Sequence, residues 1–326
     1  MEKITVGPND AGQRLDKFLI KTFRNLPGSL MYKGIRTKKI KVNRKRADAG
    51  QMLAAGDTVE LFLPPEFLLR EASAELFKHI RPVFGIIYED ENLLICDKPA
   101  GMLSHSDKEG EQNTLVEQVK AYLYAKGEYD PAREQSFAPA LCNRIDRNTC
   151  GLVLAAKNAE TLRILNEKIK KRAISKYYLC LVHGIPAPRE ATLTGYLVKD
   201  AAANKVAVYP RKAAGVRGEL KEIVTKYRVL AARDGDALLE VELVTGRTHQ
   251  IRAHMASIGH PLVGDGKYAE NKADRDAGRC RQALCAWRLR FERDTPSLLS
   301  YLEGRSFYVE IEKIPFLRGW DLKNII

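Results

Sequence analysis

Apolar and polar positions along the chain follow two periodicities, which predict a mixture of helices and strands. Residues 15–19 place three apolar side chains on one helical face, and a second helix is predicted over residues 30–37 with Ser29 as its cap. Residues 39–42 alternate between lysine and an apolar residue, as in a strand with one buried face. A turn then precedes a strand over residues 58–63, so the first 65 residues are predicted to form a small unit of their own.

The rest of the chain has the pattern of a larger domain in which strands outnumber helices. After a predicted linker over residues 66–84, the predicted elements are a hairpin over residues 85–97, a helix from a capping box of Thr114 and Glu117 to about Lys126, a helix capped by Asn158, and a hairpin over residues 224–245. The strands do not alternate strictly with helices, which argues against a doubly wound parallel sheet. We therefore expect an α+β protein with a mixed, largely antiparallel sheet flanked by helices.

Composition narrows the classes of protein. The chain has 326 residues with 45% hydrophobic residues, and its formal net charge is +13. No apolar run approaches the roughly 20 residues that a bilayer-spanning helix needs, and the N-terminus lacks the pattern of a secretory signal. We expect a cytoplasmic protein that does not enter a membrane and whose excess positive charge attracts nucleic acid.

The positive charge is concentrated near the N-terminus. Residues 1–65 carry 13 Lys or Arg and six Asp or Glu, which is more than half of the net charge in a fifth of the chain. Eight basic residues and no acid lie between positions 33 and 46: Lys33, Arg36, Lys38, Lys39, Lys41, Arg44, Lys45 and Arg46. A charge run is commonly only a solvated face, but apolar residues interrupt this one, so we expect a folded basic surface suited to phosphate.

Several kinds of active site are missing from the sequence. The six cysteines form no Cys-x-x-Cys pair and lie mostly in apolar stretches, as expected for reduced thiols. Neither a nucleotide-binding glycine loop nor a zinc protease motif is present. His249, His254 and His260 do not share a helical face, so we expect neither a metal nor a cofactor.

One carboxylate stands out because cations surround it. Asp146 lies between Arg144 and Arg147 and directly precedes the apolar strand at residues 152–156. An aspartate beside arginines is most often a surface ion pair, but this one leads into a buried strand of a basic protein. Nearby cations would favour its ionised form, which is the form that a nucleophile or base requires.

A second polar segment follows the hairpin over residues 224–245. Gly246 permits a tight turn, and Thr248 is predicted to cap a helix over residues 249–258 whose apolar stripe is buried. Arg252 lies on another face, together with Thr248 and His249. Taken alone, Arg252 could be a solvent-facing helix residue.

These segments resemble the motifs of the RluA-type RNA pseudouridine synthases. Residues 143–152 are similar to the family's signature His-Arg-Leu-Asp-x-x-Thr-Ser-Gly-Leu. Three further segments agree in order and spacing: Asp97-Lys98-Pro99-Ala100-Gly101, the Lys-x-Tyr strand that begins at Lys176, and Thr245 to Arg252 with Gly259 to Asp265. The resemblance spans about residues 86–291, and four motifs in register are far more specific than any one of them.

The N-terminal unit resembles the alpha-L RNA-binding motif. Together the two resemblances imply an alpha-L-type RNA-binding domain at 1–65, a linker at 66–84 and a pseudouridine synthase catalytic domain at 85–326. This arrangement resembles that of the family members that act on large-subunit ribosomal RNA. We therefore expect large-subunit ribosomal RNA as the partner, and we expect the chain to be a monomer.

The resemblance also implies roles for individual residues. Asp146 would be the catalytic carboxylate, which either attacks the sugar or acts on the base to release a glycal. Arg252 would pair with Asp146, and Tyr178 would pack against the uracil and help to remove the proton from carbon 5. Arg144 would fill the gap left by a flipped-out nucleotide. RNA contacts are further expected from Arg147, Arg247, His249 and the eight basic residues of positions 33–46.

The sequence also departs from the family pattern. Asn143, Ile145 and Cys150 replace the usual His, Leu and Ser, and Cys285 stands where a histidine is expected. These departures keep open the alternative of an RNA-binding assembly factor without catalysis. A nucleoside hydrolase or glycosidase would need paired carboxylates or a metal, and only one candidate carboxylate is evident.

Overall fold

Two β-sheets organise the part of the chain that the structure describes. The computed structural model describes residues 1–69, 75–106, 113–200, 205–212, 218–269 and 272–320, so residues 70–74 of the predicted linker lie outside it. The strands are β1 (Glu2–Thr5), β2 (Ile40–Val42), β3 (Lys45–Arg46), β4 (Thr58–Leu61), β5 (Gly85–Glu89), β6 (Leu93–Lys98), β7 (Ala140–Leu141), β8 (Cys150–Ala156), β9 (Ile174–His183), β10 (Glu190–Asp200), β11 (Lys205–Tyr209), β12 (Lys221–Arg233), β13 (Asp236–Leu243), β14 (Leu284–Phe291) and β15 (Ser306–Tyr308). The α-helices are α1 (Leu15–Thr22), α2 (Gly28–Arg36), α3 (Leu115–Ala125), α4 (Ala159–Lys170), α5 (Gln250–Ser257) and α6 (Lys272–Asp276).

The N-terminal unit is a four-stranded antiparallel sheet with two helices and its own apolar core. Its strand order is β1-β4-β2-β3, and the core side chains of α1 and β2 are fully buried. The strand β1 was not predicted. The predicted cap at Ser29 is wrong, because Pro27 has an extended backbone (φ −61°, ψ 135°) and α2 begins directly after it, at Gly28.

The larger sheet has the order β11-β10-β12-β13-β9-β14-β8-β6-β5, with β7 and β15 paired to β8 and β14. Among the described pairings of this sheet, β14 with β8 is parallel and the others are antiparallel, which confirms the predicted mixed, largely antiparallel sheet. Apolar cores cover both faces: α3 and α5 pack on one face, and α4 packs on the other. The α+β class is therefore confirmed.

The parallel contact between β8 and β14 requires a glycine at the start of β8. Gly151 has φ +107°, and a Cβ built on it would lie 2.2 Å from the carbonyl oxygen of Ala286. Only a residue without a side chain permits this approach. Gly151 thereby places β8, and the loop before it, directly against β14.

Two predictions about helix starts had different outcomes. The cap at Asn158 is confirmed, since its side chain accepts a hydrogen bond from the backbone N–H of Thr161. The capping box of α3 is wrong: Thr114 precedes the helix, but its hydroxyl makes no cap hydrogen bond, and Glu117 pairs with Lys120 at 2.8 Å. Glu117 binds Lys120 in place of the backbone at the start of the helix, and the buried Thr114 hydroxyl has no hydrogen-bond partner among the described residues.

The segment predicted as a linker contributes to the core where it is described. A short 3-10 helix runs over Glu75–His79, and Phe77 within it is buried against Tyr124 and Tyr129. The backbone N–H of Val83 donates to the Gln118 side chain at 2.9 Å. This part of the segment is therefore packed on α3.

Polar contacts join the N-terminal unit to the larger domain. Asp10 is 1% exposed, and its carboxylate accepts hydrogen bonds from the backbone N–H and the hydroxyl of Ser136 at 2.9 and 2.6 Å. Arg163 of α4 donates to the carbonyl of Ala11 at 2.9 Å. These contacts orient the N-terminal unit through specific hydrogen bonds.

Candidate active site

The turn between β13 and α5 is built around the side chain of Gln250. Its amide nitrogen donates to Val224 O and to Thr225 Oγ1, both at 3.0 Å. Its amide oxygen accepts from the Thr245 hydroxyl at 2.9 Å and from the Arg247 backbone at 3.0 Å. A single buried amide thus ties the turn to β12 and fixes the direction of α5.

The helix α5 begins one residue later than predicted. His249 precedes it with a left-handed backbone (φ 54°), and no side chain caps the helix, so the predicted cap at Thr248 is wrong. The left-handed residue turns the chain sharply into the helix. Ile251 and Met255 are buried as predicted.

A lysine at the end of β6 holds the loop that carries Asp146. Lys98 is completely buried, and its ammonium donates to the carbonyls of Pro99, Met102 and Arg147 at 3.0, 2.7 and 3.1 Å. Burial lowers the pKa of this lysine to about 8. The lysine therefore replaces its lost hydration with three backbone acceptors and secures the residue next to Asp146.

A buried serine holds the other side of the same loop. The Ser104 hydroxyl donates to the carbonyl of Ile145 at 3.0 Å and accepts from the Ile145 backbone N–H at 3.3 Å. Asp146 is thus flanked by two residues whose backbone is fixed. The loop presents its carboxylate in one orientation before any substrate arrives.

The predicted contact between Asp146 and Arg252 is present in the structure. Arg252 Nη1 donates to Asp146 Oδ2 at 2.9 Å. On its other side the same guanidinium binds Asp265 through two parallel bonds, Nε to Oδ2 at 2.7 Å and Nη2 to Oδ1 at 2.8 Å. Asp265 is completely buried, so Arg252 reaches Asp146 from a fixed base.

The charges of this triad stabilise one another. Burial opposes the charged form of Arg252, but its hydrogen bonds to Asp265 and the charges of Asp265 and Asp146 outweigh burial and raise its pKa above the ordinary value. Burial would likewise raise the pKa of Asp265, and Arg252 lowers it below the usual range. The Asp146 side chain is 22% exposed, whereas that of Arg252 is 8% exposed. Asp146 is therefore the residue of these three that a ligand in the cavity would contact.

Tyr178 lies in the same cavity on β9. It is buried, and burial, with a smaller effect of the Asp146 charge, raises the pKa of its phenol. The phenol therefore keeps its proton near neutral pH. In that state Tyr178 offers a ring surface and a proton donor, and it is a poor general base.

His249 borders the cavity beside the same carboxylate. Its Nε2 is 3.8 Å from Asp146 Oδ2, too far for a hydrogen bond, while Nδ1 lies 2.9 Å from the Tyr268 hydroxyl. Burial lowers the pKa of His249, which favours the neutral ring. Tyr268 also lies with its ring centroid 5.2 Å from the Arg252 guanidinium carbon.

The cavity around these residues has a volume of about 300 Å³, at the lower end of the range for small-molecule sites. The predicted residues Arg144, Arg247 and His249 line it together with Asp146, Tyr178 and Arg252. Arg147 is not among the lining residues, and its Nε donates to the Gly101 carbonyl at 3.2 Å. Within the described ranges, no cluster of three or more His, Cys, Asp or Glu is arranged to hold a metal ion.

The unusual residues of the signature segment make local contacts. Asn143 Oδ1 accepts a hydrogen bond from the backbone N–H of Leu154 at 2.8 Å, which joins the loop to β8. Cys285 is fully buried opposite Cys150 in the parallel pairing of β14 and β8. The departures from the family pattern therefore leave the contact between Asp146 and Arg252 intact.

The basic residues near the N-terminus form a surface, which we call the N-terminal basic surface and define as Lys33, Arg36, Lys38, Lys39, Lys41, Arg44, Lys45 and Arg46. All are exposed except Lys41, which is partly buried with its ammonium 5.5 Å from the Phe62 ring centroid. The apolar residues between them, Ile35, Ile40 and Val42, are buried. Folding thus displays these cations on one small domain.

Three residues that support the site were not predicted from the sequence: Lys98, Asp265 and Tyr268. Asp265 and Lys98 lie within quoted family motifs, yet only the structure shows that they support Arg252 and the Asp146 loop. Tyr268 lies outside those motifs. The one available signal was the presence of a charged residue, Lys98, at the end of the apolar β6.

Comparison with known proteins agrees with the geometry. Residues 92–257 match the family model described as RNA pseudouridylate synthase. A Vibrio cholerae protein named Ribosomal large subunit pseudouridine synthase C is 33% identical over 277 residues, covering 83% of this chain and 81% of that protein. The protein of the same name from Escherichia coli strain K12 is 29% identical over 276 residues, with coverages of 83% and 81%.

A solved structure shares the fold. Human RNA Pseudouridylate Synthase Domain Containing 4 aligns with a TM-score of 0.54 and 22% identity, covering 69% of this chain and 88% of that chain. The fold and site are thus those of an enzyme that isomerises uridine in RNA. The chain belongs to the RluA-type family of RNA pseudouridine synthases.

Proposed function

We propose that this protein converts specific uridines of large-subunit ribosomal RNA into pseudouridine, with Asp146 as the catalytic carboxylate. The observation that carries the proposal is the Asp146 carboxylate, held at 2.9 Å by a buried arginine and exposed to a cavity. The relatives named as large-subunit synthases supply the RNA class.

The geometry assigns different tasks to the two oxygens of Asp146. Oδ2 accepts the hydrogen bond from Arg252, and Oδ1 makes no hydrogen bond to another described residue. Oδ1 is therefore the atom that would act on the ribose or on the base. Because Arg252 fixes the carboxylate in advance, little reorganisation is needed when the bond between ribose and uracil breaks.

The target uridine must leave the stack of its RNA helix before this reaction occurs. A uridine within a stack cannot reach the cavity, so the target nucleotide would be flipped out, with Arg144 at the cavity rim filling the gap. The uracil would then pack on the Tyr178 ring. That ring lines the same cavity as Asp146, which keeps the detached base beside the sugar while it turns.

The two alternatives lack a supporting observation. Neither the contacts of Asn143 and Cys285 nor the comparisons favour an assembly factor without catalysis. A glycosidase needs a second available carboxylate, but Asp265 is completely buried and both its oxygens bind Arg252.

Mapping pseudouridines tests the proposed function. Large-subunit ribosomal RNA is compared between cells with the gene, cells without it, and deleted cells that carry the Asp146→Asn variant. We expect one or more sites that disappear on deletion and return only with the wild-type gene. Identical maps in all three strains would contradict the proposal.

A further inference from the structure

Lys176 is a recessed lysine in the active-site cavity without an anionic partner. It lies on β9, lines the cavity, and forms no hydrogen bond or ion pair with any described residue. Its ammonium lies 3.4 Å from the position that a Cβ on Gly246 would occupy, so the turn after β13 leaves room for it. The lysine is thus held inside the site, yet its charge is not neutralised there.

The other cations of the cavity differ from Lys176 in this respect. Arg252 already binds two carboxylates. Arg247 is exposed at the rim, and Arg144 is exposed as well. Among the described residues that line the cavity, Asp146 is the one acidic side chain. Its charge does not contribute to the lowered pKa of Lys176, which has burial as its cause.

Lys176 is partly buried, and removing a cation from water without a counterion is costly unless a ligand supplies the opposite charge. The position of Lys176 indicates what that ligand is. Lys176 and Tyr178 are two residues apart on one strand and point to the same face, about 6.6 Å apart along the strand. A base packed on the Tyr178 ring would bring its own sugar and phosphate to neighbouring positions in the cavity.

We propose that Lys176 binds a backbone phosphate flanking the flipped-out uridine, and so positions the ribose over Asp146. This inference rests on the proposed function and extends it to a substrate-binding residue. An ammonium suits this contact, since a lysine binds phosphate as a point charge and needs no fixed bonding geometry.

The test compares Lys176→Gln and Lys176→Arg with the wild type in single-turnover reactions on large-subunit RNA from deleted cells. Lys226→Gln is the matched control, because Lys226 is an exposed lysine already paired with Glu242 at 3.1 Å. For Lys176→Gln we expect the half-saturating enzyme concentration to rise about fivefold or more, while the rate at saturation falls less. Lys176→Arg retains the charge and should remain within about threefold of wild type, since the contact is a charge contact.

RNA binding separates this inference from the proposed function. The RNA affinities of Asp146→Asn and of the double variant Asp146→Asn, Lys176→Gln are measured at several salt concentrations. This measurement does not depend on catalysis. Loss of one phosphate contact should lower the slope of log affinity against log salt by about 0.7. A wild type that forms no pseudouridine would refute the proposed function, but the salt slopes would still test the phosphate contact.

Two outcomes would overturn the inference. One is equal affinity and equal salt slope for the two variants in the binding experiment. The other is a Lys176→Gln variant that binds normally but loses its rate at saturation, with no rescue by Lys176→Arg, which would make the amine a proton acceptor instead.

Discussion

Asp265 binds Arg252 through both carboxylate oxygens, at 2.7 and 2.8 Å, and thereby orients the remaining guanidinium nitrogen, Nη1, towards Asp146. This relationship makes Asp265 a positioning residue. It touches no substrate, since its side chain is completely buried. Activity should therefore depend on a carboxylate that no ligand reaches.

Asp265→Asn should lower both stability and turnover. The change leaves the buried guanidinium with one carboxylate, and breaking a buried pair costs up to about 3–5 kcal/mol. We expect at least about a tenfold loss of rate at saturation. A misplaced Asp146 needs to raise the activation free energy by only about 1.4 kcal/mol to slow the reaction that much. Thermal unfolding and single-turnover rates measure the two effects, and Asp276→Asn, at an exposed aspartate, is the control. An Asp265→Asn variant with wild-type rates would show that Asp265 has no positioning role.

Arg252→Lys should remove most activity although the charge is kept. A guanidinium bridges Asp265 and Asp146 with three bonds, and an ammonium cannot reproduce that fork. Arg228→Lys serves as the matched control, since Arg228 is an exposed arginine paired with Glu240. Full activity in Arg252→Lys would mean that only the positive charge matters.

His254 should make the protein less stable in mild acid. Burial lowers its pKa to about 4 from the ordinary 6.5, so between these values the unfolded chain binds a proton that the folded protein does not. Stability contributed by the neutral ring is present above pH 6.5 and is lost as the pH falls towards 4. We expect His254→Gln to flatten the decline of the melting temperature between pH 7 and 4.5. His79→Gln, at an exposed histidine, should leave that decline unchanged. Parallel declines for the wild type and both variants would exclude His254 as the cause.

The N-terminal basic surface should supply salt-sensitive RNA affinity. Replacing Lys38 and Lys39 with glutamine removes two exposed cations, and each lost phosphate contact should lower the salt slope by about 0.7. The matched control is Lys170→Gln with Lys171→Gln, two exposed lysines at the end of α4. The same loss of slope in both double variants would indicate a general charge effect and not a specific surface.

Local features of the chain were predictable, and features that depend on distant contacts were not. The hairpin about residues 234 and 235 and the cap at Asn158 depend on neighbouring residues, and both are present. In the predicted capping box, Glu117 binds the neighbouring Lys120 instead of the backbone, and the Thr114 hydroxyl has no hydrogen-bond partner among the described residues. The support that Lys98 gives to the backbone of Arg147 joins residues 49 positions apart, so no local pattern reports it.

The candidate site divides in the same way. Asp146 and Arg252 lie in motifs that the family resemblance connects, and the structure brings them to 2.9 Å. The state of Tyr178 was not predictable from its motif, because its raised pKa arises from burial within the folded sheet. Lys176 was visible in the same motif, but only the three-dimensional structure shows that it pairs with no acidic side chain in the described part of the chain.

Tritium release from RNA labelled at carbon 5 of uridine tests most directly whether Asp146 is the catalytic carboxylate, with the wild type and Asp146→Asn compared at equal folded concentration. The variant retains the shape of the side chain and its place beside Arg252 but lacks the anionic oxygen. We expect release of tritium by the wild type and none above background by Asp146→Asn, with RNA affinity nearly unchanged. Release by Asp146→Asn at the wild-type rate would contradict this role of Asp146.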